Sequence, residues 1–496
     1  MEDFCLFPED HKAIVSAATN NEFLPASLHS TVHRLITDTE RSTELLDDEI
    51  VRAQAVIDRL HNQHSRLVSQ LQDYRTVVAP HRKLPVEMLR EIFITCSRDP
   101  LRIPVQLDRA PWTLARVCSK WRRIALSTTA LWSNIHVPHI YDSKSAKKYI
   151  QVVRALCDYG VNSPISLDVL LNYRPGAGAD DDVVKELTQL LVVSAARLEH
   201  LSFHGDCLSI HSLLSLPPGS MQKLSSLKLA DLVFATSRSD ACTALHNAPN
   251  LRRVTFIYTL PSKMDDIPFS QLTHLTIVKT EMTSATAFHI LVLCGDLVEC
   301  ALHFKNSDQV KLGGYTQSKT KTISQLKVLR LQVAADQGAP FLWISFLRLP
   351  SLVDFRFANF DRSLEWHPSW TPVITHSGRL ENLDLCVNIS APDLEEVLGG
   401  TPNLLELDVS PTLLLISVIS RMSRGDLLPH LKSLRWCILS LSTESDACLD
   451  MLESRKHGGN GAAHIAEVGF SLSPPRLYHP RVKKLIEDGW DMRFLA

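Results

Sequence analysis

Catalysis needs a nucleophile, an acid and base, a metal-ligand cluster or a phosphate cradle, and each leaves a spacing that can be sought in the chain. These 496 residues contain no Gly-x-Ser-x-Gly, no His-Glu-x-x-His and no dinucleotide fingerprint. The nearest approach to a phosphate loop is Gly313 to Thr320, with Lys319 and Thr320 at the required distance. Ser318, however, stands where a second glycine would let backbone amides approach phosphate, so the segment reads as an inserted loop. Cys294 and Cys300 tempt a metal reading, but both fall in an apolar stretch without ligand spacing and read as small buried hydrophobes. The 21 histidines are scattered. His200, His204, His274 and His303 lie near recurring strands without a convergent nucleophile. The expectation is a protein that is not an enzyme and uses no cofactor and no metal.

Composition narrows the partners. A hydrophobic fraction of 45% suits ordinary globular packing. The 52 Lys and Arg against 54 Asp and Glu create no field that would attract nucleic acid or membrane in general. The acidic start, Met1-Glu2-Asp3, lacks the basic flank and apolar run of a signal peptide. The most apolar stretch, Phe341 to Val353, is interrupted by Arg348 and Pro350. It is shorter than the roughly 20 residues that cross a bilayer. Eleven cysteines without a Cys-x-x-Cys pair suit a reducing compartment, so the expected location is cytoplasmic, nuclear or both.

The elements that would position a binding surface can be read in order, with boundaries at an N-terminal arm (1–29), a coiled-coil-like helix (30–79), a helical module (80–137), a linker or cap (138–163) and a repeat region (164–496). Between Ser30 and Val78 there is neither proline nor glycine, and Leu46, Ile50, Ala53, Ile57, Leu60, His64, Leu67, Leu71, Tyr74 and Val78 alternate in steps of four and three. That is a heptad seam, which must be covered by a second copy or by another face of the chain. Self-association through residues 30–79 is therefore expected as one option. Pro80 and Pro85 end the pattern. A new helix is predicted from Pro85, with Met88, Ile92, Phe93 and Cys96 on one face, and a second from about Pro111, with Leu114, Val117, Trp121 and Ile124 forming one apolar stripe. Ser97 to Ala110 reads as a loop.

The rest of the chain repeats itself. Three apolar residues spaced three and then two apart recur from Leu198-Leu201-Phe203, through examples such as Leu326-Leu329-Leu331 and Leu380-Leu383-Leu385, to Leu431-Leu434-Trp436 and a looser Ile465-Val468-Phe470. Successive copies start 21 to 34 residues apart, mostly within the period of leucine-rich repeats. Each copy predicts a short strand with its last two apolar residues inward. Segments such as Ala285 to Leu293 and Asp393 to Leu398 pack as helices behind it. Asn388 alone clearly matches the asparagine that usually follows such a strand. The fold class expected is α/β: a long helix, a small helical module and an irregular solenoid of strand-plus-helix repeats.

Three stretches carry a family resemblance: Leu84-Pro85-Val86-Glu87-Met88-Leu89-Arg90-Glu91-Ile92-Phe93, Val117-Cys118-Ser119-Lys120-Trp121-Arg122-Arg123-Ile124-Ala125 and Leu131-Trp132-Ser133-Asn134-Ile135. Together they resemble the F-box, and the whole arrangement is similar to F-box-like proteins with leucine-rich repeats abundant in mushroom-forming fungi. The resemblance implies a helical module that docks on the Skp adaptor of a cullin-RING ubiquitin ligase, with Leu84, Pro85, Ile92, Val117 and Trp121 as docking residues. It also implies a C-terminal domain that holds a client protein for ubiquitylation. The loop from Ser97 to Ala110 is longer than in many F-boxes. The alternative is a scaffold independent of any ligase, in which Ile92, Val117 and Trp121 are simply the core of a helical subdomain.

For the client, the residues flanking the inward strand positions are free to read a partner. Among them Arg330 and Arg356 occupy adjacent copies, as do Asp384 and Asp408. This predicts a step from basic to acidic that orients a bound protein by charge.

Overall fold

A computed structural model describes residues 8–20, 22–140, 142–160, 163–171, 182–205, 207–230, 242–261, 264–280, 282–305, 320–334, 341–359, 364–409, 416–437, 442–456, 462–471, 480–487 and 491–494. It divides into two compact units, Met1–Leu89 and Arg90–Ala496.

In the first unit a short helix, Pro8–Asn20, precedes a helix of 49 residues, His29–Val77. About 1.5 Å per residue makes the latter roughly 70 Å long. Threonine and serine are poor interior helix formers. Here Thr39, Ser42, Thr43 and Thr76 each donate a hydroxyl to the carbonyl four residues back, at 2.7–2.8 Å, which satisfies them locally. Val78 N–H closes the last turn on the Tyr74 carbonyl, and Pro80 then disfavours helix for the residue before it.

The second unit is built around one parallel sheet of 15 strands, which follow one another in chain order from Leu101–Arg102 to Asp491–Phe494. The apolar residues of successive copies stand in register. Ile135, Leu167, Leu201, Leu227, Val254, Leu275, Cys300, Leu329, Phe355, Leu383, Leu407, Leu434, Val468 and Met492 form one row across the sheet. Every described side chain of that row from Ile135 to Val468 is buried. A parallel strand cannot return through a tight hairpin, so the strands are joined by longer crossover connections. Helices such as Ser284–Leu293 and Ala391–Gly399 and short 3-10 turns lie in these connections, as the spacing predicts. The core sits between sheet and connections. It is dense in rings: Phe304 meets Phe341 edge to face at 5.2 Å, and Phe357 meets Trp370 at 5.1 Å.

Two arginines close helix C-termini, Arg197 at the edge of this core and Arg455 inside it. Arg197 donates to the carbonyls of Cys157 (3.2 Å), Gly160 and Ser163, at the end of the helix Ser143–Tyr159. Arg455 is fully buried and donates to the carbonyls of Met422 (2.7 Å), Leu427 (2.9 Å) and Leu428 (3.0 Å), just past the helix Ile416–Arg424. Carbonyls left over at a helix end need donors, and a cation there also meets the negative end of the dipole. Burial pulls the Arg455 guanidinium down to about 10.

The sheet extends beyond the predicted copies. Leu101–Arg102, Asn134–Ile140 and Ile165–Leu171 join it before Leu198, and Asp491–Phe494 joins after the last copy. Asn388 is exposed, and its N–H bonds the Leu364 carbonyl. The same offset within a copy is instead buried at Thr259 and Thr280. Both follow a residue of positive φ, Tyr258 (58°) and Lys279 (57°), where the chain turns off its strand.

Candidate protein-binding surfaces

The helical module begins with Leu84, half-buried, and Pro85, exposed, whose carbonyl accepts from Leu89 N–H at the start of the helix Val86–Cys96. The single face predicted for that helix is corrected. Leu89 and Phe93, four apart, are buried, whereas Met88, Ile92 and Cys96 are exposed. One residue of offset turns a helix by about 100°, so the buried stripe is Leu89–Phe93 and Ile92 points elsewhere, 40% exposed.

The second predicted helix is also corrected. Two helices, Trp112–Val117 and Ser119–Ser127, are separated at Cys118, whose backbone is extended (φ −160°, ψ 172°) and whose Sγ accepts from Trp121 N–H at 3.5 Å. This break turns Val117 out of the expected stripe, leaving it 56% exposed while Ile124 and Ala125 are buried. Trp121 is half-buried with its ring 4.9 Å from that of Phe93. Arg122 Nε donates to the Ala115 carbonyl at 3.0 Å and ties the two helices together. Trp132, fully buried, donates Nε1 to the Ala125 carbonyl at 2.9 Å. In the second unit the core of the module is therefore Phe93, Ile124, Ala125, Leu131 and Trp132, and Ile92 and Val117 lie outside it.

Arg330, Arg356, Asp384 and Asp408, picked out as flanking residues, occupy one row: they are successive register partners on neighbouring strands, followed by Arg435 and Gly469. A cavity of about 190 Å³ is lined by these four with Asp354, Glu406 and Arg435. The charges pair across strands. Arg330 Nη2 lies 3.0 Å from Asp354 Oδ2, and Arg356 Nε lies 2.6 Å from Asp384 Oδ2. Both arginine side chains are more than half exposed, while the two aspartates are 23% and 22% exposed. Along the row the order is still two arginines and then two aspartates, and Arg330 and Arg356 each lean over a carboxylate on the next strand.

Burial, helped by the nearby Asp408 and Asp354 and opposed by Arg356, pushes the Asp384 carboxyl up to about 6. Glycine at position 469 belongs to the same surface. A Cβ there would stand 2.8 Å from Arg435 Cγ, so its absence leaves room for that side chain to lie across the neighbouring strand. Sequence spacing missed Gly469 because only charged flanking residues were weighed, and it left Asp354, a flanking residue of the preceding row, out of the client site. The signal was present in the preceding row, where Asp354, Asn382 and Glu406 are neighbours.

The other candidates lead elsewhere. Cys294 and Cys300 are buried, and burial raises the Cys294 thiol to about 12 and the Cys300 thiol well above its usual value, which leaves both as protonated core residues. His200 Nδ1 pairs with the Ser225 hydroxyl at 3.2 Å, His274 lies 3.8 Å from Glu299, and His303 Nδ1 accepts from Lys279 N–H at 2.9 Å. Gly313 to Lys319 lies outside the described residues. Among the described residues no three His, Cys, Asp or Glu side chains gather where they could hold a metal ion, and no helix is long and apolar enough to cross a membrane. Set against known proteins, the chain matches no family model and no curated protein.

Proposed function

We propose that this chain is a non-catalytic, two-ended adaptor: the substrate-recruiting subunit of an SCF-type ubiquitin ligase, with a helical module that docks on the Skp adaptor and a leucine-rich-repeat solenoid that holds a client. The observation that carries this reading is the exposure of Ile92 and Val117 beside a module core already filled by Phe93, Ile124 and Trp132. Were these residues only core, as in the alternative reading, they would be buried. Apolar side chains that stay exposed beside a satisfied core suit a surface completed by a partner. Trp121 contributes a ring held in place by Phe93. Leu84 and Pro85 stay in the docking set on the motif resemblance.

The solenoid reading is supported by the register of the apolar row, because repeats that bury their faces only on their neighbours stack in this way. The client surface is proposed at Arg330, Arg356, Asp384 and Asp408. Exposed guanidinium groups over half-sheltered carboxylates offer donors and acceptors that a partner can re-pair. Isolated surface pairs contribute little to stability, so their cost to the fold if rearranged is small.

Co-expression with Skp tests the reading. The intact chain is expected to co-purify with Skp, and Ile92→Asp with Val117→Asp is expected to lose it while circular dichroism stays unchanged. A folded double variant that keeps Skp would place the chain with ligase-independent scaffolds.

A further inference from the structure

From Ile36 to the cap at Val78 every residue along the long helix is exposed, including Ile50, Ile57, Leu60, Leu67 and Leu71 on one seam. We propose that this seam pairs with the same seam of a second copy, antiparallel, in the register that centres the pair between Asp58 and Arg59.

Side-chain size selects that register. Antiparallel pairing about this centre sets Ile57 against Leu60, Ile50 against Leu67 and Leu46 against Leu71. It also sets each awkward seam residue against a small one: His64 meets Ala53, and Tyr74 meets Thr43. A parallel pair would instead face Ala53 with Ala53 and Thr43 with Thr43, leaving underfilled layers, and would crowd His64 on His64 and Tyr74 on Tyr74. Underfilled and overfilled layers both destabilise.

Charge selects the same direction independently. Residues 39–58 carry six acids against Arg41 and Arg52, whereas residues 59–78 carry Arg59, Arg66 and Arg75 against Asp73 alone. Antiparallel pairing lays the acidic half of each helix along the basic half of the other, with Glu40 flanking Arg75. Parallel pairing lays acid along acid. The overlap of residues 39–78 is about 60 Å long. With a contact strip roughly 10 Å wide on each helix it buries on the order of 1,200 Å² in total, within the range of stable interfaces.

Cysteine cross-linking of the full chain tests the arrangement. Leu46→Cys and Leu71→Cys are made singly and together, oxidised mildly, and compared with the unsubstituted chain as background for its native cysteines. The two positions are about 37 Å apart along one helix, so they cannot link within a chain. The antiparallel pair predicts twice the 55.6 kDa chain mass by light scattering. It also predicts a covalent dimer only in the double variant, mapped by mass spectrometry to 46–71. Linked dimers from either single variant at its own position would establish a parallel pair and overturn the proposal. A 55.6 kDa species before oxidation, as when the seam folds onto another part of the chain, would overturn it too, as would a dimer that forms no 46–71 link.

Discussion

Along the long helix Leu60 is 53% exposed, while in the sheet Leu329 is 0% exposed. Both leucines were read from sequence as apolar members of a repeating pattern, one by heptad and one by a longer period. The helix satisfies its backbone within itself, so its form does not depend on burying the seam. Each strand of the sheet satisfies its backbone only through its neighbours, and its apolar row is buried by the same stacking. A seam that the fold leaves open is available for association, whereas a row that the fold has closed supports a rigid surface on its other side.

Substitutions along this contrast are expected to differ in size. Leu329→Ala should have the largest effect, about 2–5 kcal/mol off the unfolding free energy in urea, because a dry cavity is left between two occupied strands. Arg455→Ala should cost about 3 kcal/mol, since the carbonyls of Met422, Leu427 and Leu428 lose their donors inside the core. A far smaller loss in chemical denaturation would mean that water takes over those carbonyls.

The next effect depends on pH. The folded Asp384 carboxyl is raised to about 6 from 3.8, chiefly by burial, so between these values the folded state holds a proton that the unfolded state has released. Its stabilising contribution is therefore full below about pH 4 and is lost as pH rises through about 6. Relative to Asp384→Asn, the natural chain should lose on the order of 2 kcal/mol across that window. Parallel pH profiles for the two proteins would contradict the placement of Asp384. Smallest of all, Leu60→Ala should change the unfolding of the sheet by less than about 0.5 kcal/mol, the usual range for exposed positions. Its effect should fall on association instead, read by light scattering over a dilution series.

Much of this was legible because it is periodic. The heptad and the stretch free of proline and glycine gave the long helix to within two residues at each end, and the copies from Leu198 onward mark strands that pair in register. Earlier strands were missed for specific reasons. Trp132-Ile135-Val137 has the same spacing, with tryptophan at the first position, and Pro164-Leu167-Val169 has proline there. The helical module was harder to read, because a helical stripe assumes an unbroken helix. At Cys118 a side chain capping the following helix outweighs continued periodicity, and Val117 changes face as a result. The charged row was visible as a list of residues. Its cross-strand pairing was not, because that depends on which neighbour each guanidinium leans toward.

The most direct test of a two-ended adaptor measures Skp affinity by calorimetry for three intact chains. They are the natural one, Val117→Asp, and a sheet-face variant carrying Arg330→Glu, Arg356→Glu, Asp384→Lys and Asp408→Lys. Val117 is preferred to Trp121 because Trp121 also packs on Phe93. Losing a buried apolar anchor at an interface typically costs about 2 kcal/mol or more, roughly 30-fold in affinity. The account predicts that loss for Val117→Asp and unchanged affinity for the sheet-face variant. Equal Skp binding by all three folded chains, or none by the natural chain, would contradict it.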